Sequence, residues 1–66
     1  MPIINIALQP ISTEEKKSLI SALTQSAAKA TRIPEDKFFV LINELPAEAI
    51  GVGGTTLAEL KAMTPA

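Results

Sequence analysis

The sequence predicts an α+β fold: a single β-α-β unit with parallel strands and a C-terminal hairpin, assembling through its sheets into a homo-oligomer. Three observations lead there. Two short β-branched runs, over residues 3–8 and 37–44, flank a segment with helical periodicity. A helical crossover between two strands makes them parallel with right-handed connectivity. The second run is apolar on both faces, and one helix can cover only one of them.

The first strand, Ile3-Ile4-Asn5-Ile6-Ala7-Leu8, sets Ile4, Ile6 and Leu8 on one face and Ile3, Asn5 and Ala7 on the other. Gln9-Pro10-Ile11 interrupts it, and Ser12-Thr13-Glu14-Glu15 forms a capping box that starts a helix at about Thr13. Along that helix Leu19, Ile20, Leu23, Ala27 and Ala30 recur at spacings of three and four, an apolar stripe. Arg32-Ile33-Pro34 ends it, because proline disfavours the α region at Ile33. The second strand sets Phe38, Val40 and Ile42 against Phe39, Leu41 and Asn43, so that one member of the aromatic pair faces the core. After Leu45-Pro46, the glycines of Ile50-Gly51-Val52-Gly53-Gly54 mark a short hairpin, followed by a turn of helix within 55–63 and a frayed end at 64–66.

At 66 residues the chain is one domain, and 47% hydrophobic against 20% charged residues is too apolar for a disordered segment. A lone core of this size seldom outweighs chain entropy. With no Cys and no His, disulfide and zinc staples are excluded, which leaves oligomerisation as the supplement. The same absences remove thiol and imidazole chemistry, so catalysis would rest on carboxylates, lysines, hydroxyls or the chain terminus. A net charge of −1 with scattered basic residues argues against a nucleic-acid partner. No run approaches the roughly 18 apolar residues of a membrane span, so no membrane partner and a cytoplasmic location are expected. No cofactor or metal is expected, and the glycines lack the Lys-Ser or Lys-Thr of a phosphate loop.

Pro2 is unusual by position. Removal of Met1 would leave a secondary amine at the head of a strand, where an apolar pocket disfavours the ammonium and lowers its pKa toward the working range of a general base. With Met1 attached, that nitrogen is an amide and has no such function. A structural role also suits it, since a missing N–H is tolerated at the first residue of a strand.

Met1-Pro2-Ile3-Ile4-Asn5-Ile6, the Ser12-Thr13-Glu14-Glu15-Lys16 helix start, Leu19-Ile20, Val40-Leu41-Ile42-Asn43-Glu44-Leu45 and Ile50-Gly51-Val52-Gly53-Gly54 together resemble the 4-oxalocrotonate tautomerase group, over nearly the whole chain. The resemblance implies a hexamer built as a trimer of dimers, a small-molecule substrate, and the processed Pro2 as catalytic base for proton transfer between carbon and oxygen. The group's best-known members carry an arginine before the helix and another in the second strand; Gln9-Pro10-Ile11 and Phe39 stand there instead. Ile50 replaces an aromatic residue in the hairpin. The implied pocket is more apolar and less cationic, suited to a small keto or enol monoacid and short of donors for an enolate oxygen. Lys37, read as sharing the Phe39 face of the second strand, is the first candidate to supply the missing donor, and the expected substrate-binding set is Lys37, Phe39, Ile50 and Leu8. Lys61 is a weaker candidate near the chain end, and Asn43 and Glu44 suit structural roles better than substrate contact. The alternative reading is a non-catalytic oligomer of the same fold that binds a small ligand or serves as a scaffold.

Overall fold

Six-residue strands and a 19-residue helix account for nearly half of the chain in the computed structural model, which describes residues 1–63. Strand β1 (Ile3–Leu8) leads into helix α1 (Thr13–Thr31), a 3-10 turn at Glu35–Lys37 and strand β2 (Phe39–Glu44). A second 3-10 turn at Ala47–Ala49 precedes a hairpin of β3 (Gly51–Val52) and β4 (Thr55–Thr56) and a closing helix α2 (Leu57–Met63). The predicted fraying of 64–66 lies outside the described residues.

The ends of α1 follow from local chemistry. Ser12 Oγ accepts from the Glu15 N–H at 3.1 Å, and the Glu15 carboxylate accepts from the Ser12 N–H at 2.9 Å, which completes the capping box. At the other end Arg32 adopts a left-handed conformation, φ 64°, and its N–H donates to the Ala28 carbonyl at 2.8 Å, with Pro34 two residues beyond. The same device recurs at smaller scale in α2. Thr56 Oγ1 accepts from the Glu59 N–H, and the Glu59 carboxylate accepts from both the Thr56 N–H and its hydroxyl. Gly53 and Gly54, with φ of 61° and 91°, form the two-residue link between β3 and β4 that twisted hairpins favour.

Strands β1 and β2 pair in parallel with Ile3 beside Phe39 and Leu8 beside Glu44. The sheet alternates cleanly. Ile4, Ile6, Leu8, Val40 and Ile42 are half-buried toward α1, whereas Ile3, Phe39 and Leu41 are about half exposed on the outer face. Phe38, just ahead of β2, is half-buried, as its parity with Val40 requires. On α1 the half-buried stripe contains Leu19, Leu23 and Ala27; Ile20 and Ala30, which spacing alone assigns to it, are exposed at its margin. Lys16 joins the helix to the sheet, its Nζ 2.8 Å from the Glu44 carboxylate.

One expectation is corrected by the chain's turn geometry. β2 begins at Phe39 rather than at residue 37, because the segment after Pro34 coils into a 3-10 turn in which the Lys37 N–H donates to the Pro34 carbonyl at 3.1 Å. Lys37 therefore lies on no strand face.

In a single chain no described residue is buried. Its surface of 5001 Å² exceeds the roughly 4,000 Å² typical of a folded monomer of this mass. Its radius of gyration of 15.4 Å likewise exceeds the roughly 11 Å of a compact 66-residue domain, and its extents are 45 × 25 × 15 Å. Helix and sheet thus form two layers with the third missing. Covering the exposed half of Ile3, Phe39 and Leu41 would stabilise the fold by roughly 1 kcal/mol for each side chain.

Two outcomes are expected. In analytical ultracentrifugation the chain sediments as a multiple of 7.0 kDa, and Leu41→Glu on the outer face moves it toward the single-chain mass; a folded 7.0 kDa species for the unsubstituted chain would contradict the two-layer argument. Ser12→Ala lowers unfolding free energy by about 1 kcal/mol in urea titrations at fixed chain concentration, through loss of the helix cap.

Candidate active site

Pro2 directly precedes β1 and is half-buried, and its carbonyl accepts from the Phe39 N–H at 3.0 Å. That bond continues the parallel ladder one residue past the strand and holds the head of β1 against β2. Met1 beyond it is 83% exposed. Around Pro2 the chain presents Ile3, Phe38 and Phe39, all apolar, with the exposed Lys37 in the preceding turn.

The remaining predicted residues stand elsewhere. Because the strands are parallel, Leu8 and Glu44 mark the opposite end of the sheet, about 20 Å from Pro2 along β1. Leu8 is half-buried and its carbonyl accepts from the Leu45 N–H at 2.8 Å, tying the exit of β2 to that of β1. Ile50 is half-buried where the second 3-10 turn meets the hairpin; its N–H donates to the Ala47 carbonyl at 3.3 Å and its carbonyl accepts from the Leu57 N–H at 2.7 Å. One chain therefore brings Pro2, Lys37 and Phe39 to one end of the sheet and sets Leu8 at the other. An open groove of about 450 Å³ runs along the first half of α1 beside Glu14, Glu15, Ser18, Leu19 and Ala22, and none of the predicted site residues lines it.

At the Leu8 end the structure reveals two polar links that spacing could not show. Glu44 accepts from the Ile11 N–H at 3.0 Å as well as pairing with Lys16, so it fastens the loop between β1 and α1 rather than facing a ligand. The hydrogen bond from Lys16, then that from the Ile11 N–H, holds its carboxyl below the ordinary carboxylate value. Lys61, on α2 and not in a frayed tail, donates to Gln9 Oε1 at 2.7 Å across 52 residues of sequence.

The Tautomerase model, described as tautomerase enzyme, matches residues 2–60. The chain belongs to the tautomerase family. It is 30% identical to a protein of Listeria monocytogenes serotype 4b (strain F2365) described as a probable tautomerase, over 91% of this chain and all of that one. Among solved structures it is similar to a 4-oxalocrotonate tautomerase isozyme of Methylibium petroleiphilum, with a TM-score of 0.90, 31% identity and coverage of 96% of this chain and 100% of the other. It also resembles a chain of the heterohexameric 4-oxalocrotonate tautomerase of Chloroflexus aurantiacus J-10-fl, with a TM-score of 0.83, 38% identity and coverage of 91% and 98%. The β-α-β unit with its C-terminal antiparallel hairpin is thus the tautomerase fold. No helix among the described residues of this family member is long and apolar enough to cross a membrane.

The Glu44 links have a pH signature. A carboxyl whose folded pKa lies below its unfolded value contributes stability that is present above the unfolded value and is lost as pH falls through the folded one. Glu15 and Glu59, held low by their Ser12 and Thr56 hydrogen bonds, act in the same direction. Melting temperature is therefore expected to fall as pH drops below 4.5, and Glu44→Gln, which keeps an acceptor for Ile11 but loses the charge, flattens that fall. An unchanged slope would remove Glu44 from the account.

Proposed function

We propose that this family member is an isomerase in which Pro2, freed by removal of Met1, is the general base for keto-enol proton transfer on a small, relatively apolar 2-keto or enol acid. The observation that carries the reading is the fixed placement of Pro2 at the strand head, hydrogen-bonded through its carbonyl to Phe39 and surrounded by apolar side chains, with an exposed Met1 ahead of it. Desolvation there disfavours the ammonium and favours the free amine that a base requires.

The proton balance needs one nitrogen. The amine lone pair takes the enol hydroxyl proton, the oxygen electron pair closes the carbonyl, and the C2–C3 π pair takes a proton from the pyrrolidinium at C3. Base and acid are the same group, and no electron leaves the substrate.

Neutral residues at the two arginine places set the substrate class. With Phe39 half exposed beside Ile3 and with Gln9-Pro10-Ile11 before the helix, a second carboxylate would be desolvated without a bidentate partner. Arylpyruvate-like monoacids fit better than dicarboxylates. The bare outer sheet face and the hexameric assembly of the Chloroflexus relative support self-association, which we assign as a hexamer of three dimers.

The test is the ultraviolet rate of ketonisation of an arylpyruvate enol by mass-verified, Met1-free protein and by its Pro2→Ala variant. Loss of roughly 10²–10⁴ in rate on substitution is expected for a general base. Equal rates in the two proteins would overturn the base assignment, and equality with buffer would favour a non-catalytic, ligand-binding assembly of the same fold.

A further inference from the structure

Lys37 is the cation that the chain itself carries to the Pro2 end of its sheet. Of the six basic residues, Lys16 and Lys17 stand early in α1 and Lys61 on Gln9, all toward the Leu8 end, whereas Lys29 and Arg32 close α1 in the helix layer. Lys37 alone lies in the segment that runs into β2. Its backbone is fixed through three consecutive N–H groups. Those of Lys37 and Phe38 donate to the Pro34 and Glu35 carbonyls, each at 3.1 Å, and that of Phe39 donates to the Pro2 carbonyl at 3.0 Å. The turn is thus anchored at one end by Pro34, whose ring locks φ, and at the other by the residue assigned as base.

Phe38, between turn and strand, is extended, with φ −86° and ψ 144°, so the line of β2 continues back past Phe39. Because Ile3 pairs with Phe39, Phe38 stands beside Pro2, and Lys37 beside the place that Met1 leaves when it is removed. Strand spacing and rise put the Lys37 Cα about 6 Å from that of Pro2. A flexible four-carbon stem covers such a gap. The side chain is exposed, and neither Glu35 nor Asp36 on the same turn pairs with it; the ion pair among the described residues joins Lys16 to Glu44. Its three ammonium donors are therefore uncommitted among the described residues, next to the apolar Ile3, Phe38 and Phe39.

We propose that Lys37 binds the carboxylate and the adjacent C2 oxygen of the substrate, and that it does so for the Pro2 of its own chain. In a 2-keto or enol acid these oxygens are neighbours, so one ammonium can donate to both. As the enol proton passes to the Pro2 nitrogen, negative charge gathers on the C2 oxygen, and the ammonium stabilises it without giving up a proton. Each chain then holds the base and the cation of one site, joined by the hydrogen bond from Phe39 to Pro2. Removal of Met1 both frees the amine and clears the place beside Lys37. The assignment rests on Pro2 as the reacting group, and the tests keep the two apart.

The first test is binding of 3-phenylpropionate, a saturated acid that cannot tautomerise, measured by calorimetry on Met1-free protein. Lys37→Met is expected to weaken it roughly 10- to 100-fold and Lys37→Arg to keep most of the affinity, with 3-phenylpropanamide binding alike to all three proteins. Lys29→Met makes the same change of net charge in the helix layer and is expected to leave the affinity for the acid unchanged. Equal affinity of Lys37→Met and the unsubstituted protein, an equal loss in Lys29→Met, or no binding of the acid by the unsubstituted protein would overturn the proposal. The second test is the ketonisation rate of an assembly co-expressed from Pro2→Ala and Lys37→Met chains. With base and cation in one chain, the mixture is no faster than the two single variants measured apart; a rate several-fold above both would show that the lysine serves another copy and would overturn the same-chain assignment. Failure of the Pro2 base is seen separately, as a Pro2→Ala protein no slower than the unsubstituted one, and leaves the binding readout intact.

Discussion

A two-stranded parallel sheet has two faces, and this chain has one long helix to cover them. That shortage governs the molecule. Ile4, Ile6, Leu8, Val40 and Ile42 reach half burial under α1, Ile3, Phe39 and Leu41 stay about half exposed, and no described residue becomes buried. A chain this short cannot close a core by folding alone, because the apolar area it removes from water must offset the ordering entropy of nearly every residue. With neither cysteine nor histidine, covalent and zinc staples are closed to it. The outer sheet face is therefore left apolar and uncovered in one chain.

The same shortage shapes the site. A parallel β-α-β unit sends both strand starts to one end and both strand exits to the other, so Pro2 and the Lys61–Gln9 pair are separated by the length of β1.

Hydrogen bonds at strand ends supply the precision that packing does not. The Phe39 N–H fixes the carbonyl of Pro2, the Leu45 N–H fixes that of Leu8, and Glu44 joins Ile11 and Lys16 to the exit of β2. All are near the surface, where a single ion pair contributes little. Their value is geometric: each sets the path of a segment that carries or flanks a site residue. The uncharged Gln9-Pro10-Ile11 segment and Phe39 leave both ends of β1 with neutral neighbours.

Elements dictated by local chemistry were legible in the sequence. The capping box at Ser12 and Glu15, the stop before Pro34, the β-branched runs and the glycine link at Gly53-Gly54 each depend on residues within a few positions of one another, and each formed as read save that the second run begins at Phe39 rather than residue 37. Family membership was legible in the same way, from ordered short motifs along the whole chain. Tertiary structure decided what local chemistry cannot reach. It placed Lys37 in a 3-10 turn instead of on a strand face, left Ile20 and Ala30 at the margin of the helical stripe, and made Glu44 a fastening for the loop. It also carried Lys61 across 52 residues to Gln9. The reason is physical: periodicity reports which side of an element is apolar, whereas the partner of an exposed polar group depends on how distant elements are brought together.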